Sequence, residues 1–254
     1  MTAYYNEFDP KAAAWLRELI KAGQIAPGVV DERSIEDIKP KDLDGFSQCH
    51  FFAGIGVWSY ALRNAGWPDD RPVWTGSCPC QPFSAAGKGL GLADERHLWP
   101  AWFHLIGQRN PVIVFGEQVS SKDADIWVDL VQTDMEALGY AFGAVPFPSA
   151  GIGAPHIRDR LYWVADADCN GYATAPVGQA TDQGEIGGGL LKFEGRFTET
   201  VICRDGKRRP CEPGIVPWVD GTPTVLGRLR GYGNAINAIQ AQIFIEATLT
   251  GPSI

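Results

Sequence analysis

Three short stretches of this chain bring together residue types that can do covalent chemistry. Cys80 lies in Pro79-Cys80-Gln81-Pro82-Phe83-Ser84, just after the apolar run Pro72–Ser77. Loops that follow strands display reactive groups, whereas a cysteine used as a small hydrophobe belongs in the core, so Cys80 reads as a nucleophile. Glu117 follows the β-branched run Pro111–Phe115 with one glycine between. A carboxylate at that place is costly to bury without a task, which points to proton handling; the plainer alternative is an exposed strand-end acid. The third stretch, Phe52-Ala53-Gly54-Ile55-Gly56, joins an apolar run to a helical pattern. A glycine turn at a helix start lets backbone N–H groups approach a ligand, although packing alone also uses such turns. Cys78, Cys80, His97 and His104 fit no common zinc spacing, so no metal is expected.

The elements around these stretches alternate. Phe46–Phe52 reads as a strand and Val57–Ala65 as a helix. Pro72–Ser77 is the next strand, Leu98–Gln108 a helix, Pro111–Phe115 a strand and Ala124–Leu138 a helix closed by Gly139. Tyr140–Val145 and Arg160–Ala165 form a hairpin pair around the loop Phe147–Asp159, and Asn234–Ala247 has helical spacing. Such alternation predicts an α/β fold with a doubly wound, mostly parallel, Rossmann-like sheet, in which ligands bind beyond the carboxyl ends of the strands. All three chemical stretches fall at those ends. The first 45 residues hold a helix over Lys11–Ala22 and then acidic, proline-punctuated turns, and read as an N-terminal extension. Residues 46–165 with 223–254 form the main domain, and the irregular segment 166–222 forms a small module.

The 254 residues are 45% hydrophobic, with 9 Trp and 12 Phe, enough for one large core. No apolar stretch approaches the roughly 20 residues of a membrane helix, and six scattered cysteines argue for thiols in a reducing compartment, so a cytoplasmic, intracellular protein without membrane contact is expected. A net charge of −8 excludes a protein that coats nucleic acid by bulk charge. Residues 192–209 nevertheless carry six basic side chains against three acidic ones, and Arg204, Lys207, Arg208 and Arg209 there are candidates for contact with nucleic acid, the alternative being a solvated loop.

Taken in order, the motifs resemble those of DNA cytosine-5 methyltransferases. The resemblance covers most of residues 46–165 and the C-terminal helix. Pro79-Cys80-Gln81 is similar to the family's nucleophile motif, Phe52–Gly56 to its cofactor turn, and Glu117-Gln118-Val119 to its Glu-Asn-Val motif. His156-Ile157-Arg158-Asp159-Arg160 is similar to its Gln-x-Arg-x-Arg motif, and Gly233-Asn234-Ala235 to its Gly-Asn motif. The resemblance implies methylation at C5 of a cytosine flipped out of double-stranded DNA. Cys80 would add at C6 and Glu117 would protonate N3. Arg158 would hold the base and Arg160 support its loop. S-adenosyl-L-methionine would lie against Phe52, Ala53, Gly54, Gly56, Pro79, Asn234 and Ala235, while Gln81, Ser84 and the segment 166–222 with its basic residues would meet DNA.

The chain departs from the pattern between Gly56 and Pro79. One helix and one strand stand there, where the family has two further strand–helix units that supply an acid for the cofactor ribose and an Asp for the adenine. Only Asp69 and Asp70 lie in that interval. The sheet is therefore expected to be truncated at one edge. The N-terminal extension, a partner subunit or self-association would complete the cofactor site. Otherwise the enzyme would use another donor or none, as in cytosine deamination, or the chain would be a non-catalytic DNA-binding subunit.

Overall fold

The computed structural model describes residues 3–79, 98–120, 122–152, 159–168, 199–202, 208–211 and 236–250. Seven strands form one sheet: β1 (Ala3–Asn6), β2 (Gly28–Asp31), β3 (Gln48–Phe51), β4 (Val73–Gly76), β5 (Ile113–Val119), β6 (Ala141–Pro146) and β7 (Arg160–Asp166). Their order is β2-β1-β3-β4-β5-β7-β6. The five strands from β2 to β5 are parallel neighbours, and β7 runs antiparallel to both β5 and β6. The doubly wound, mostly parallel sheet is thus as expected, and β6 and β7 form the expected hairpin pair. The truncated edge is not. Two strands from the first 31 residues lie beyond β3, so β3 is an interior strand and the N-terminal segment is part of the sheet.

Helix α1 (Pro10–Lys21) connects β1 to β2 and α2 (Val57–Asn64) connects β3 to β4. The start of α1 is fixed by Asp9, whose carboxylate accepts from the N–H groups of Lys11 and Ala12, and by Pro10 in the first turn. Both helices cover the sheet face that carries Tyr5 and Phe115. The two crossovers run in opposite directions on that same face, so they have opposite hands and one departs from the near-universal right-handed rule. On the same face α5 (Ala238–Thr250) packs along α2. It begins four residues later than its sequence pattern suggests, because the Asn237 side chain caps it by accepting from Ile239 N.

The other face is covered by α3 (Trp99–Arg109), α4 (Lys122–Ala137) and two 3-10 turns within residues 35–43. Its core is aromatic: Trp99, Trp102, Trp127 and Trp163 are buried and in mutual ring contact. A small hairpin of β8 (Glu199–Ile202) and β9 (Arg208–Cys211) stands apart from the main sheet. No helix among the described residues is long and apolar enough to cross a membrane.

A closed set of buried polar contacts joins the N-terminal unit to the rest. Tyr5 Oη donates to Ala26 O at 2.7 Å, and Ser59 Oγ on α2 accepts from Ala26 N at 3.1 Å, which leaves its proton for Tyr5 Oη at 2.9 Å. Beneath them His50 bonds Thr75 Oγ1 at 2.8 Å and Gln48 Oε1 at 3.3 Å, and its ring stacks on Tyr5. Burial pushes the His50 imidazole down to about 3, so it is a neutral structural group. The β1–β2 edge is equally close-packed. A Cβ on Gly28 would lie 2.0 Å from Ala3 O, a backbone atom that cannot swing aside. Gly28→Ala should therefore lower stability to chemical denaturation by about 1–3 kcal/mol; an unchanged midpoint would contradict the described approach of these strands.

Candidate active site

Strands β1 and β3 are neighbours whose chains leave in opposite directions, and a doubly wound sheet holds its ligand at that kind of switch point. The turn Phe52–Gly56 forms one lip. Phe52 has φ 50°, which non-glycine residues rarely adopt, and its ring is held edge-on against Trp102. Gly56 has φ 81°, and a Cβ there would lie 3.0 Å from Leu16 of α1, so only glycine suits the position. The other lip is Asn6-Glu7-Phe8, the exit of β1. Ala53 N donates to Asn6 O at 3.0 Å and Gly54 N to Glu7 Oε2 at 2.6 Å, while Glu7 Oε1 accepts from Asp9 N at 2.9 Å. Phe8 is 72% exposed beside it. Two backbone amides thus orient a carboxylate at the mouth of the crevice, next to an uncovered aromatic ring.

Two strands along the same edge lies a second cluster. Glu117 on β5 is buried, and Arg160 Nε on β7 donates to its Oε1 at 2.8 Å. The antiparallel register sets Glu117 opposite Tyr162 and Val119 opposite Arg160, so acid and guanidinium are diagonal neighbours on one face. Between the two clusters β4 ends, and Pro79 stands half-buried at the last described position before residue 80. The structure therefore brings Phe52, Ala53, Gly54, Gly56, Pro79, Glu117 and Arg160 to one edge of the sheet.

Other expected site residues fare differently. Arg160, expected to support a loop, donates to Glu117 across the β5–β7 pairing. Asp69 is paired with Arg63 at 2.6 Å in the turn that enters β4, at the opposite end of the sheet, so neither it nor its neighbour Asp70 reaches the crevice. Cys80, Gln81, Ser84, Arg158, Arg204, Lys207, Asn234 and Ala235 lie outside the described residues, and Arg208 and Arg209 are placed only as backbone of β9. Glu7 and Phe8 were not singled out from sequence. The rule that found Glu117, an acid directly after a strand, finds Glu7 once Ala3–Asn6 is recognised as one. Surface grooves lined by Phe46, Trp74 and Arg109, and by Arg71, Ile113 and Asp168, open at the amino ends of the strands, away from this edge. No cluster able to hold a metal ion is found among the described residues.

Residues 62–180 match the family model of the C-5 cytosine-specific DNA methylases. That segment belongs to this family. Among relatives, the chain is 26% identical over 167 residues to the type II methyltransferase M.HhaI of Haemophilus parahaemolyticus, covering 50% of this chain and 51% of the relative. It is 30% identical over 153 residues to M.NgoBI of Neisseria gonorrhoeae, covering 57% and 48%. The chain thus spans about half the length of the curated relatives it matches. A DNMT2 mutant of Spodoptera frugiperda superposes with a TM-score of 0.45 at 16% identity, over 66% of this chain and 43% of that one, a likeness too loose to add to the methylase assignment. The methylase match begins after the glycine turn, so Glu7 and the whole β1–α1–β2 unit lie outside it.

Glu7 gives the site a pH signature. Burial raises its carboxyl above the ordinary value of 4.5, against the smaller lowering effect of the Asp9 and Gly54 amides. A raised native value means that the folded chain binds the proton more readily than the unfolded one. The favourable contribution is complete below the unfolded value and is lost as pH rises through the native value. Relative to Glu7→Gln, the parent should lose stability as pH rises from 4.5 through that window, measured by denaturation at a series of pH values. A difference independent of pH would contradict the burial of this carboxylate.

Proposed function

We propose that the chain is a DNA cytosine-5 methyltransferase that transfers a methyl group from S-adenosyl-L-methionine to a cytosine flipped out of double-stranded DNA. The observation that carries this reading is the Glu117–Arg160 pair, set on the same strand-end edge as the glycine turn and flanking the strand exit that leads to Cys80. An ion pair that binds one carboxylate oxygen fixes the plane of the acid, which suits it to the N3 and exocyclic amine edge of a pyrimidine.

The residues then have complementary tasks. The Cys80 thiolate adds to C6 of the base, forming a C–S bond, while Glu117 supplies a proton to N3 so that the electron pair of the C5–C6 double bond is released toward C5. S-adenosyl-L-methionine would supply the electrophilic methyl carbon for C5, its sulfonium sulfur taking the electron pair of the broken S–C bond and leaving as the neutral thioether. Loss of the C5 proton to a base then lets the C–S bond break, which returns the thiolate, restores the double bond and gives the N3 proton back to Glu117. Arg160 keeps Glu117 oriented throughout.

The residues present fit a ribonucleoside donor. Glu7 holds a carboxylate oriented by two amides at the switch point, suited to accept from the two ribose hydroxyls, and Phe8 offers an uncovered ring on which a purine can stack. In this reading the N-terminal unit performs the work that the family assigns to units placed after the glycine turn, and no partner subunit is needed to complete the site. Arg204, Lys207, Arg208 and Arg209 would meet DNA phosphates or guanine edges.

Duplex DNA incubated with the protein and S-adenosyl-L-methionine should yield 5-methylcytosine by nucleoside mass spectrometry, and Cys80→Ala should yield none. A lack of methylation by the parent, or deaminated cytosine in its place, would sink the reading. Full activity of Cys80→Ala would sink the assignment of the nucleophile.

A further inference from the structure

The exit of β4 is held from both faces of the sheet by side chains that no motif assigns to this task. The β4–β5 ladder ends at the pair Gly76 and Gly116, although β5 continues to pair with β7 as far as Val119. Two residues beyond that last pair the strands have parted, and the gap between them is bridged by a side chain. Gln118 Nε2 donates to Cys78 O at 3.1 Å, and Gln118 Oε1 accepts from Val119 N at 2.9 Å. The amide is buried, so leaving either end unmet would be costly, and the side chain acts as a strut of fixed length between the two strands. On the opposite face Trp58 of α2, one residue past the start of the helix that follows the glycine turn, donates from Nε1 to Ser77 Oγ at 3.2 Å. Consecutive residues Ser77 and Cys78 are therefore tied to different elements, one to the helix that follows the glycine turn and one to the strand of Glu117.

We propose that Gln118 and Trp58 are positioning residues that fix Ser77 and Cys78, the stretch of chain that leads to Cys80, and so govern how fast the nucleophile is delivered to the base. This rests on the methyl-transfer reading. The longer amide matters here: Gln118 stands where the family motif has Asn, and its extra methylene is what spans a carbonyl on a strand that has already diverged. Gln118 acts through the backbone and does not touch the reacting atoms. Its loss should therefore change how fast the thiolate is delivered and leave DNA affinity intact.

The test is the rate of covalent adduct formation on 5-fluorocytosine duplex DNA at saturating DNA and S-adenosyl-L-methionine, with DNA affinity and adduct amplitude measured in parallel. Gln118→Met, which fills the space without hydrogen-bonding, should slow the rate roughly 10- to 100-fold with DNA affinity essentially unchanged. Gln118→Asn, which restores the amide but falls short of Cys78 O, should lie between Met and the parent. Ser77→Ala, which removes only the Trp58 acceptor, should slow the rate by a smaller factor and keeps the test open if the Met variant does not fold. A purely structural role would reduce the amplitude and leave the rate of the active fraction unchanged, and that result would overturn the proposal. A parent that forms no adduct at all would overturn the methyl-transfer reading together with it, whereas a parent that reacts at the same rate as all three variants would overturn the strut alone.

Discussion

Everything at the functional edge depends on how the exits of β1 and β3 are joined. Ala53 N donates to Asn6 O, and Gly54 N donates to the Glu7 carboxylate. These two bonds link segments that are 47 residues apart and make one crevice of what would otherwise be two separate strand ends. Without them the glycine turn would have no facing wall. They also impose a chemical condition, because the amide of the turn is paired with an acid that burial has made easier to protonate.

The rest of the sheet can be understood as support for that junction. Tyr5, Ala26 and Ser59 tie β1, the segment entering β2 and α2 into one hydrogen-bonded ring, while His50 and Thr75 extend the polar contacts to β4. Polar groups in the interior of a parallel sheet add little net stability, but each has a partner only in one register, so they select the arrangement that brings Glu7 to Gly54. On the opposite face the tryptophan cluster packs under Phe52 through Trp102 and holds the strained turn from below. Specificity of register and support of strain thus come from different faces of one sheet.

Much of this was legible in the sequence because the relevant signals are local. The glycine turn, the Pro-Cys-Gln loop and the acid after the apolar run Pro111–Phe115 each announce themselves within a few residues, and the alternation from Phe46 onward predicts the parallel sheet. What was not legible depends on long-range pairing. Ala3–Asn6 and Gly28–Asp31 are only four residues long, Ala3–Asn6 is buried on both faces, and Gly28–Asp31 is half-buried throughout, so neither shows the alternation that marks a longer strand. Gly28 itself looks like a turn residue, whereas it is glycine because Ala3 of the neighbouring strand approaches too closely for a side chain. Giving Ala3–Asn6 no element and reading Gly28–Asp31 among turns left β3 at an edge and suggested a missing half-site. In the same way, the contact of Arg160 with Glu117 is a matter of antiparallel register, which spacing within one motif cannot give.

The claim on which the account turns is that one donor site spans the N-terminal unit and the glycine turn. Hydrogen exchange followed by mass spectrometry, with and without S-adenosyl-L-methionine, tests it most directly. The account predicts that the donor slows amide exchange in residues 6–9 and residues 52–56 together, at the same donor concentration. Protection confined to residues 52–56, or absent from both segments, would contradict it.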